Sequence, residues 1–340
     1  MDTKQKRYLK CGAILIVGTL ILCVTLVVNA SAQSPIVLRY SSGLPPVHQV
    51  SRMQKFFAEE VSKKTEGRVK VEVYTGGQLY KHNDVVDAAS LGAVDMGLNS
   101  TGHWGGRNPV FNFPNYFFLI NGTEHWLRAR DEVWKILEPL YQKQNVKLLH
   151  FIAYGESGVA SVTPLDKPED WKGKKIRGVT PGCFQSIATL GAVSTRIPEA
   201  EVYDAIGKKA IDGACSGWSS FYSRKYYEVV NNFTGPLWWS VWISFINLDK
   251  WKSLANDIQQ TLLKVSGDTE AFSLDLMKEY DNKSLQHLKK VARVKYFTAQ
   301  ELKVWAQAIK PVHNIWLKEC ADKGYAKEGQ QVYDALIRTN

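Results

Sequence analysis

Three short β-rich stretches near the start of the chain, separated by two helical stretches, decide its fold class. The sequence reads IVLRY at residues 36–40, RVKVEVY at residues 68–74 and VDMGL at residues 94–98. Between them, residues 47–64 carry apolar side chains at helical spacing, and residues 83–91 have the pattern of a shorter helix. This β-α-β-α-β order predicts an α/β protein with a mostly parallel sheet covered by helices.

A second alternating block follows and predicts a second domain. Strand patterns occupy residues 146–154, 159–162, 175–178 and 210–215, and helical patterns occupy residues 124–142, 183–190 and 200–206; residues 102–114 have the composition of a loop. A single core stops growing at about 250–300 residues, so 340 residues favour two domains. The boundary falls near Tyr154 and has no flexible linker, which predicts strands that cross between the domains as a hinge.

The C-terminal third of the chain is helical by its pattern. Residues 256–291 predict one long helix, interrupted or kinked near Ser266 and Gly267. Thr298 and Glu301 form a capping-box pattern at the start of a helix that runs to about residue 322, with a kink at Pro311. Residues 325–339 predict a last helix.

The first 32 residues have the three parts of a secretory signal peptide. Residues 1–10 are basic, residues 12–28 carry no charge, and Ala30-Ser31-Ala32 fits the cleavage pattern of small residues. The sequence therefore predicts cleavage after Ala32, a mature chain that begins at Gln33 and a location in the periplasm. An uncleaved N-terminal anchor is the alternative.

Composition and charge exclude several classes of protein. Hydrophobic residues make up 45% and charged residues 22% of the chain, which excludes wholesale disorder and a multi-span membrane protein. The net charge is +10, but part of the excess lies in the first ten residues and no long basic run follows. A nucleic-acid-binding protein would concentrate such charge in a patch, so no nucleic-acid partner is expected. A mildly basic surface and attraction of small anions both remain compatible with this charge.

Motifs for catalysis, phosphate binding or metal binding are missing from the sequence. It contains no P-loop and no Gly-x-Gly-x-x-Gly, and Gly155-Glu-Ser-Gly158 departs from a nucleophile elbow because residue 159 is valine. The seven histidines show no His-x-x-x-His spacing, so neither a metal site nor a cofactor is predicted. These observations favour a binding protein over an enzyme, with a secreted hydrolase as a less favoured alternative.

Three cysteines would remain after the predicted cleavage, which allows one disulfide at most. Cys183 follows the strand that carries Arg177, and Cys215 ends a neighbouring strand. We therefore expect the two side chains to lie near each other on the ligand side of the second domain.

Four segments, in order, resemble the signatures of one protein family. They are GGQLY at residues 76–80 with DVVDAASLGAVDMG at 84–97, WKGKKIR at 171–177, EVYDAI at 201–206 with AIDGA at 210–214 and KYYEV at 225–229, and FTAQE at 297–301. Their order and spacing resemble the substrate-binding subunits (DctP-type solute-binding proteins) of tripartite ATP-independent periplasmic (TRAP) transporters.

The resemblance implies a fold, a function and partners. The fold is a two-domain clamshell like that of periplasmic binding proteins, with a ligand cleft and a long C-terminal helix that braces both lobes. Lobe I would comprise residues 33–154 plus about 243–282, and lobe II residues 155–242 plus about 283–340. The implied function is to bind a small organic carboxylate and deliver it to the membrane permease subunits. An ABC-type or sensory periplasmic binding protein of the same architecture is the alternative.

The resemblance and the predicted strand ends together select candidate ligand-binding residues. In the family, the arginine that ends the second signature clamps the ligand carboxylate, and here that residue is Arg177; its planar guanidinium matches a carboxylate. The full predicted set is Arg177, Ser216, Trp218, Cys215, Asn99, Ser41 and Trp239. Further candidates are Tyr40, Ser42, Ser100, Thr101 and His82, and also Trp238 and Trp242 if they face the cleft rather than the core.

Two departures from the family pattern indicate the class of ligand. Where many relatives have Glu-Asn-Pro after the third signature, this chain has Cys-Ser-Gly-Trp at residues 215–218. Some relatives carry a second arginine after the crossing strand, whereas residues 155–163 contain none. One cationic clamp predicts a monocarboxylate, with an apolar or aromatic body.

Overall fold

The computed structural model describes residues 34–339, in which strands and helices alternate along the chain. The predicted signal peptide and its cleavage site lie outside the described residues. The strands are β1 (Ile36–Ser41), β2 (Val69–Tyr74), β3 (Met96–Ser100), β4 (Val146–Ser161), β5 (Lys175–Arg177), β6 (Val193–Thr195), β7 (Gly213–Gly217), β8 (Asn232–Asn247) and β9 (Arg293–Tyr296). The helices are α1 (Gln49–Lys64), α2 (Val85–Ser90), α3 (Thr123–Gln142), α4 (Pro181–Thr189), α5 (Val202–Gly207), α6 (Trp218–Ser223), α7 (Leu248–Ser253), α8 (Asn256–Val291), α9 (Ala299–Asp322) and α10 (Ala326–Thr339).

The described strands form one mixed sheet in the order β2-β1-β3-β8-β4-β7-β5-β6, with β9 beside the first part of β8. β1 pairs with β3, and β5 with β6 and β7, in parallel, whereas β8 pairs with β3 and β4, and β4 with β7, in antiparallel fashion. The prediction of a mostly parallel sheet is therefore wrong at its centre. The reason is that β4 and β8 pair with each other in antiparallel fashion at the centre of the sheet. On one side β8 pairs with β3 of the parallel pair β1-β3, and on the other side β4 pairs with β7 of the parallel group β7-β5-β6.

β4 is one continuous strand of 16 residues rather than the two strands predicted at residues 146–154 and 159–162. Its pairing with β8 has irregularities between Ala153 and Gly155 and between Ser157 and Val159. Gly155 has a φ of +105°, a conformation that glycine adopts without a Cβ penalty. An irregularity of this kind interrupts the regular pairing without ending the strand, so the sequence pattern looked like two strands.

β8 was not among the strands predicted from the sequence, and Gly235 and Pro236 interrupt its apolar run. In the structure the β4 register moves from Thr234 to Trp238, so Pro236 falls in a stretch without a β4 partner. Proline cannot donate to a ladder, and it is tolerated where no such bond is required. The strand is buried along nearly its whole length, as expected for the centre of a sheet.

Residues 102–114 do not form the open loop that their composition predicts. They lie largely in two short 3-10 helices, Thr101–Trp104 and Pro109–Asn115, and every residue of the second is buried. The Asn108 side chain accepts a hydrogen bond from the Val110 amide at 3.0 Å and begins that turn. Phe111 and Phe113 then bury their rings in the core, which outweighs the loop-like composition.

The long helix α8 has the predicted limits and continues through Ser266 and Gly267 without interruption. At 1.5 Å per residue its 36 residues span about 54 Å. It packs against α1 and β4 and also against α6 and β9. The capping box of α9 is confirmed: the Glu301 amide donates to Thr298 Oγ1 at 3.2 Å, and the Thr298 amide donates to Glu301 Oε2 at 2.8 Å.

The described chain from Val37 onward groups as one compact unit. The division into lobe I and lobe II at the residues predicted above therefore stays a prediction. Among the described residues, no helix is both long and apolar enough to span a membrane.

A buried carboxyl group lies where α8 crosses β4. Asp281 is 8% exposed, and its Oδ2 accepts a hydrogen bond from the Glu156 amide at 3.3 Å. Burial, reinforced by the charge of Glu156, holds the pKa of Asp281 well above its usual range. The folded protein therefore keeps a proton on Asp281 at pH values where the unfolded chain, with a pKa of about 3.9, has already lost it.

Replacing Asp281 by asparagine should stabilise the protein at pH 8 more than at pH 4. A carboxyl whose pKa is raised on folding costs stability as the pH rises above its unfolded value, and asparagine has the shape of the protonated group without that cost. Thermal unfolding of the wild type and the variant at both pH values measures the effect. Asp275→Asn, at an exposed position of the same helix, is the matched control. An equal effect of Asp281→Asn at both pH values would contradict the prediction.

Candidate ligand-binding site

Arg177 lies at the end of β5 and is 6% exposed. β5 alternates an exposed Lys175 with a buried Ile176, and its central place between β6 and β7 buries its last residue as well. The Arg177 Nε donates to the Ile197 carbonyl at 3.1 Å, and its Nη1 donates to the Cys215 carbonyl at 3.5 Å. Among the described residues no carboxylate lies within ion-pair distance of this guanidinium, so its charge is available to an anion.

Five ring side chains contact one another in a row. The ring centroids of Tyr154 and Trp242 are 4.9 Å apart with nearly parallel planes, and His48 stacks on Tyr154 at 5.6 Å. His82 lies 5.2 Å from Trp242, and His103 lies 4.5 Å from His82. We call these five residues the aromatic wall. β4 and β8 position its centre, because Trp242 pairs with Ile152 of β4 and Tyr154 follows two residues later.

Electrostatics connects the aromatic wall with Arg177. Burial lowers the pKa of His82 to about 4 and the pKa of His103 well below its usual value, and the charge of Arg177 adds to both effects. Burial also lowers the pKa of His48 to about 4. The three rings are therefore neutral at pH 7, and each carries a buried nitrogen without a hydrogen-bond partner: His48 Nε2, His82 Nδ1 and His103 Nδ1.

Glu199 and Arg224 add an ion pair that the sequence analysis did not select. Arg224 Nε lies 3.0 Å from Glu199 Oε1, and the two side chains are 20% and 25% exposed. Burial acts to raise the pKa of Glu199, but the charges of Arg224 and Arg177, with smaller contributions from His82 and His48, lower it below its usual value. Glu199 is therefore ionised and lies among groups from both sides of the site. No periodicity or motif distinguishes it from an exposed glutamate in the sequence.

Ser216 and Cys215 are both buried on β7 but contribute differently. Burial raises the pKa of Tyr154 to about 12, against which hydrogen bonds with Ser220 and Ser216 act to lower it; the Tyr154 hydroxyl lies 2.6 Å from Ser220 Oγ. Cys215 contributes its carbonyl to Arg177, while its thiol hydrogen-bonds with that of Cys183 in the hydrophobic core. The two cysteines do lie near each other, as free thiols, although their side chains belong to the core.

Asn99 and Ser41 lie at the ends of β3 and β1, as predicted. The Asn99 side chain donates to the His82 carbonyl at 2.6 Å and accepts from the Ser100 amide at 2.8 Å, so it positions His82. Ser41 Oγ is buried and has no partner. The neighbouring candidates already have hydrogen-bond partners: the Tyr40 hydroxyl donates to Ser244, and the Ser42 hydroxyl donates to Gln54.

Three of the candidate tryptophans pack in the core. Trp239 lies 6.0 Å from Trp126, and Trp238 stacks on Phe117 at 5.2 Å. Trp218 stacks on Tyr296 at 5.5 Å and donates to Glu156 Oε2 at 3.2 Å. Trp218 and Trp239, which the sequence analysis selected, therefore pack against other core side chains. Trp242 is the candidate tryptophan that belongs to the aromatic wall.

The segments that follow β3 and β5 meet beside Arg177. A Cβ built on Gly102 would lie 2.8 Å from Thr180 Cγ2, so only glycine permits this approach without displacement. Thr180 is buried, and its Oγ1 has no partner. Within residues 34–339, no group of His, Cys, Asp and Glu side chains is arranged to hold a metal ion. The described site therefore consists of one unpaired guanidinium, one ion pair, neutral rings and several unpartnered polar groups.

Comparison with known families shows to which family the chain belongs. The family model for bacterial extracellular solute-binding proteins, family 7 (DctP), matches residues 40–319. The chain belongs to this family. It is a solute-binding receptor of the TRAP-transporter type, and the family is one of binding proteins rather than enzymes.

Individual relatives and structures agree with the family assignment. The C4-dicarboxylate-binding periplasmic protein DctP of Rhodobacter capsulatus is 29% identical over 310 residues, which cover 88% of this chain and 91% of the relative. A TRAP periplasmic solute-binding protein of Shewanella oneidensis with bound succinate superposes with a TM-score of 0.80 at 22% identity, over 90% of this chain and 99% of that one. A Bordetella pertussis extracytoplasmic solute receptor that binds pyroglutamic acid gives a TM-score of 0.79 at 19% identity, over 88% and 99%. These structures establish the two-domain clamshell fold with its C-terminal helices.

Proposed function

We propose that this receptor binds a monocarboxylate with a flat apolar or aromatic body and delivers it to TRAP membrane subunits. The observation that carries the proposal is the charge of Arg177: it is buried, it acts on the neutral rings of His82 and His103, and among the described residues it has no carboxylate within ion-pair distance. A ligand carboxylate would supply that partner. Two of the guanidinium N–H groups are held by backbone carbonyls, so the side chain is already oriented when the ligand arrives.

The charges around the site favour one carboxylate over two. Arg224 is the other nearby cation, and it is already paired with Glu199. A second ligand carboxylate would therefore enter a buried site without a cation of its own. Burying a charge without a partner is expensive, so a dicarboxylate should bind less tightly than a monocarboxylate of the same length.

The aromatic wall favours a flat body on the ligand. Tyr154 and Trp242 present stacked rings, and offset stacking of a planar group on such rings is favourable beyond the burial of area. The unpartnered nitrogens of His82 and His103 lie at one end of the wall and can bond to a polar group at the far end of the ligand. In this proposal Arg177 clamps the carboxylate, Ser216 and Asn99 position Tyr154 and His82, and Ser41 offers a free hydroxyl.

Lobe closure and export complete the proposal. The residues of the site come from both parallel groups of the sheet, which corresponds to a cleft between the predicted lobes I and II with β4 and β8 as the hinge. We propose in addition that the mature protein starts at Gln33 in the periplasm, after removal of residues 1–32.

Calorimetry with matched ligands tests the proposed function. Butyrate and succinate have the same carbon chain and differ by one carboxylate, and we expect butyrate to bind at least about tenfold more tightly, because the second charge would be buried unpaired. Butyramide, which keeps the shape without the charge, should show no measurable binding. Native mass spectrometry of the protein as purified identifies any ligand that it carries. Tighter binding of succinate than of butyrate would overturn the assignment to monocarboxylates.

A further inference from the structure

Glu199 lies beside the proposed Arg177 clamp, and a simple monocarboxylate has no group that would bind to it. It begins the 3-10 helix Glu199–Glu201 directly after Pro198, and Arg177 Nε donates to the carbonyl of Ile197, two residues earlier. Arg177, which clamps the ligand carboxylate, is thus bonded to the same short segment that carries Glu199. A group attached close to the ligand carboxylate would therefore lie beside Glu199.

The charge of Glu199 contributes to the pKa values of several groups around the site. It acts to raise the pKa values of His48 and His82, against the larger effect of burial, and it adds to burial in raising those of Tyr154 and Tyr226. These residues come from both sides of the site. The charge of Glu199 therefore acts both on Arg177 and on the rings of the aromatic wall, and the ion pair with Arg224 holds Glu199 in place.

A second, independent feature lies at the same place. The hydroxyl of Tyr226 has no hydrogen-bond partner, although the side chain is only 1% exposed. Burying an unbonded hydroxyl costs free energy, and native structures seldom leave such a group unpaired. Arg224, the ion-pair partner of Glu199, lies two residues before Tyr226, so the segment that carries Tyr226 lies against the segment that carries Glu199. Burial raises the pKa of Tyr226, and the charge of Glu199 adds to that effect. A ligand group that can both donate and accept would satisfy Glu199 and Tyr226 together.

We infer that the ligand is a 2-hydroxy monocarboxylate: Arg177 binds its carboxylate, Glu199 accepts a hydrogen bond from its 2-hydroxyl, and Tyr226 donates one to that hydroxyl. This inference rests on the proposed function, because it places a second contact beside the Arg177 clamp. A hydroxyl is one of the few groups that donates and accepts at once.

Counting charges distinguishes a hydroxyl from an ammonium group at this position. Arg177, Arg224 and Glu199 are the ionised side chains that act on the rings of the site, and together they carry a net charge of +1. A hydroxy acid of charge −1 makes the site neutral, whereas a zwitterionic amino acid leaves a buried net charge. Because Arg224 already neutralises the charge of Glu199, a neutral hydrogen-bond donor on the ligand fits this position better than a second cation.

Binding of paired ligands to the full-length mature protein tests the inference. The pairs are butyrate with 2-hydroxybutyrate and 3-phenylpropionate with 3-phenyllactate, which differ only by the 2-hydroxyl. In the wild type we expect the hydroxy acid of each pair to bind at least about tenfold more tightly, since hydrogen bonds to charged groups are the stronger kind. In Glu199→Gln this ratio should fall below about threefold. Glu201→Gln, at an exposed position two residues away, should keep the wild-type ratio.

Each possible result has a definite meaning. If butyrate binds through Arg177 but the hydroxyl adds no affinity, this inference fails and the proposed function stands. If monocarboxylates do not bind, or bind without Arg177, the proposed function fails and this inference fails with it. A preference for the hydroxy acids that survives Glu199→Gln, or tighter binding of 2-aminobutyrate than of 2-hydroxybutyrate, also overturns the assignment. The wild-type ratios keep the test decisive even if Glu199→Gln does not fold.

Discussion

Replacing Arg177 by alanine should weaken ligand binding by about 30-fold to several-thousand-fold. Removing one partner of a buried, hydrogen-bonded charge pair costs about 2–5 kcal/mol, and each 1.4 kcal/mol corresponds to a factor of ten. The buried guanidinium has no acidic partner among the described residues, so the ligand carboxylate would lose its main counter-charge. Calorimetry with butyrate, or with the ligand identified by native mass spectrometry, measures the change in affinity.

Two further measurements separate the charge of Arg177 from its geometry. Arg177→Lys keeps the charge but loses the planar fork, so it should recover only part of the affinity. The amide of the ligand should bind the wild type weakly and should lose much less affinity when Arg177 is replaced by alanine.

Arg196→Ala is the matched control for this series. Arg196 is exposed, and its guanidinium lies over the ring of Phe184 at 4.9 Å rather than in the site. Its removal should leave ligand affinity within about threefold of the wild type. If Arg177→Ala also remains within that range, the carboxylate clamp lies elsewhere and the role carried over from the family does not apply to this chain.

Replacing Gly155 by alanine should destabilise the protein by about 2–5 kcal/mol. Gly155 has a φ of +105°, and a Cβ at this position would overlap the carboxylate of Asp281 and lie 2.8 Å from Met277 Cγ. The left-handed conformation and the overpacking against α8 both oppose a side chain. The adjoining Tyr154, whose carbonyl accepts a hydrogen bond from Gln49 at 2.8 Å, would be displaced with it. Urea unfolding measures the loss of stability.

Gly173→Ala isolates the steric part of this effect. Gly173 also has a positive φ, of +74°, but a Cβ built there has nothing within 4 Å. This variant should lose only the conformational part, about 1–2 kcal/mol. Equal losses for Gly155→Ala and Gly173→Ala would show that α8 does not press on β4 at this point.

Local patterns in the sequence were sufficient for most of the regular elements and for the place of Arg177 at the end of a short strand. The limits of α8 at residues 256 and 291 and the capping box of α9 follow from helical spacing and from side chains three residues apart, which act within one turn. Arg177 was selected because it ends a short strand inside a segment that resembles a family signature. Such features depend on neighbours along the chain, so the sequence contains the information directly.

The composition of the site depended on contacts between residues far apart in the chain. Trp239 and Trp242 are three residues apart on β8, so they lie on opposite faces of the sheet, and the sequence does not tell which face meets the ligand. Glu199 and Tyr226 belong to short 3-10 segments without periodicity. His48 and His82 precede α1 and α2, and His103 lies in the 3-10 helix Thr101–Trp104. Only folding brings these groups around one guanidinium, because the burial and the opposing charges that make them a site arise from the tertiary contacts themselves.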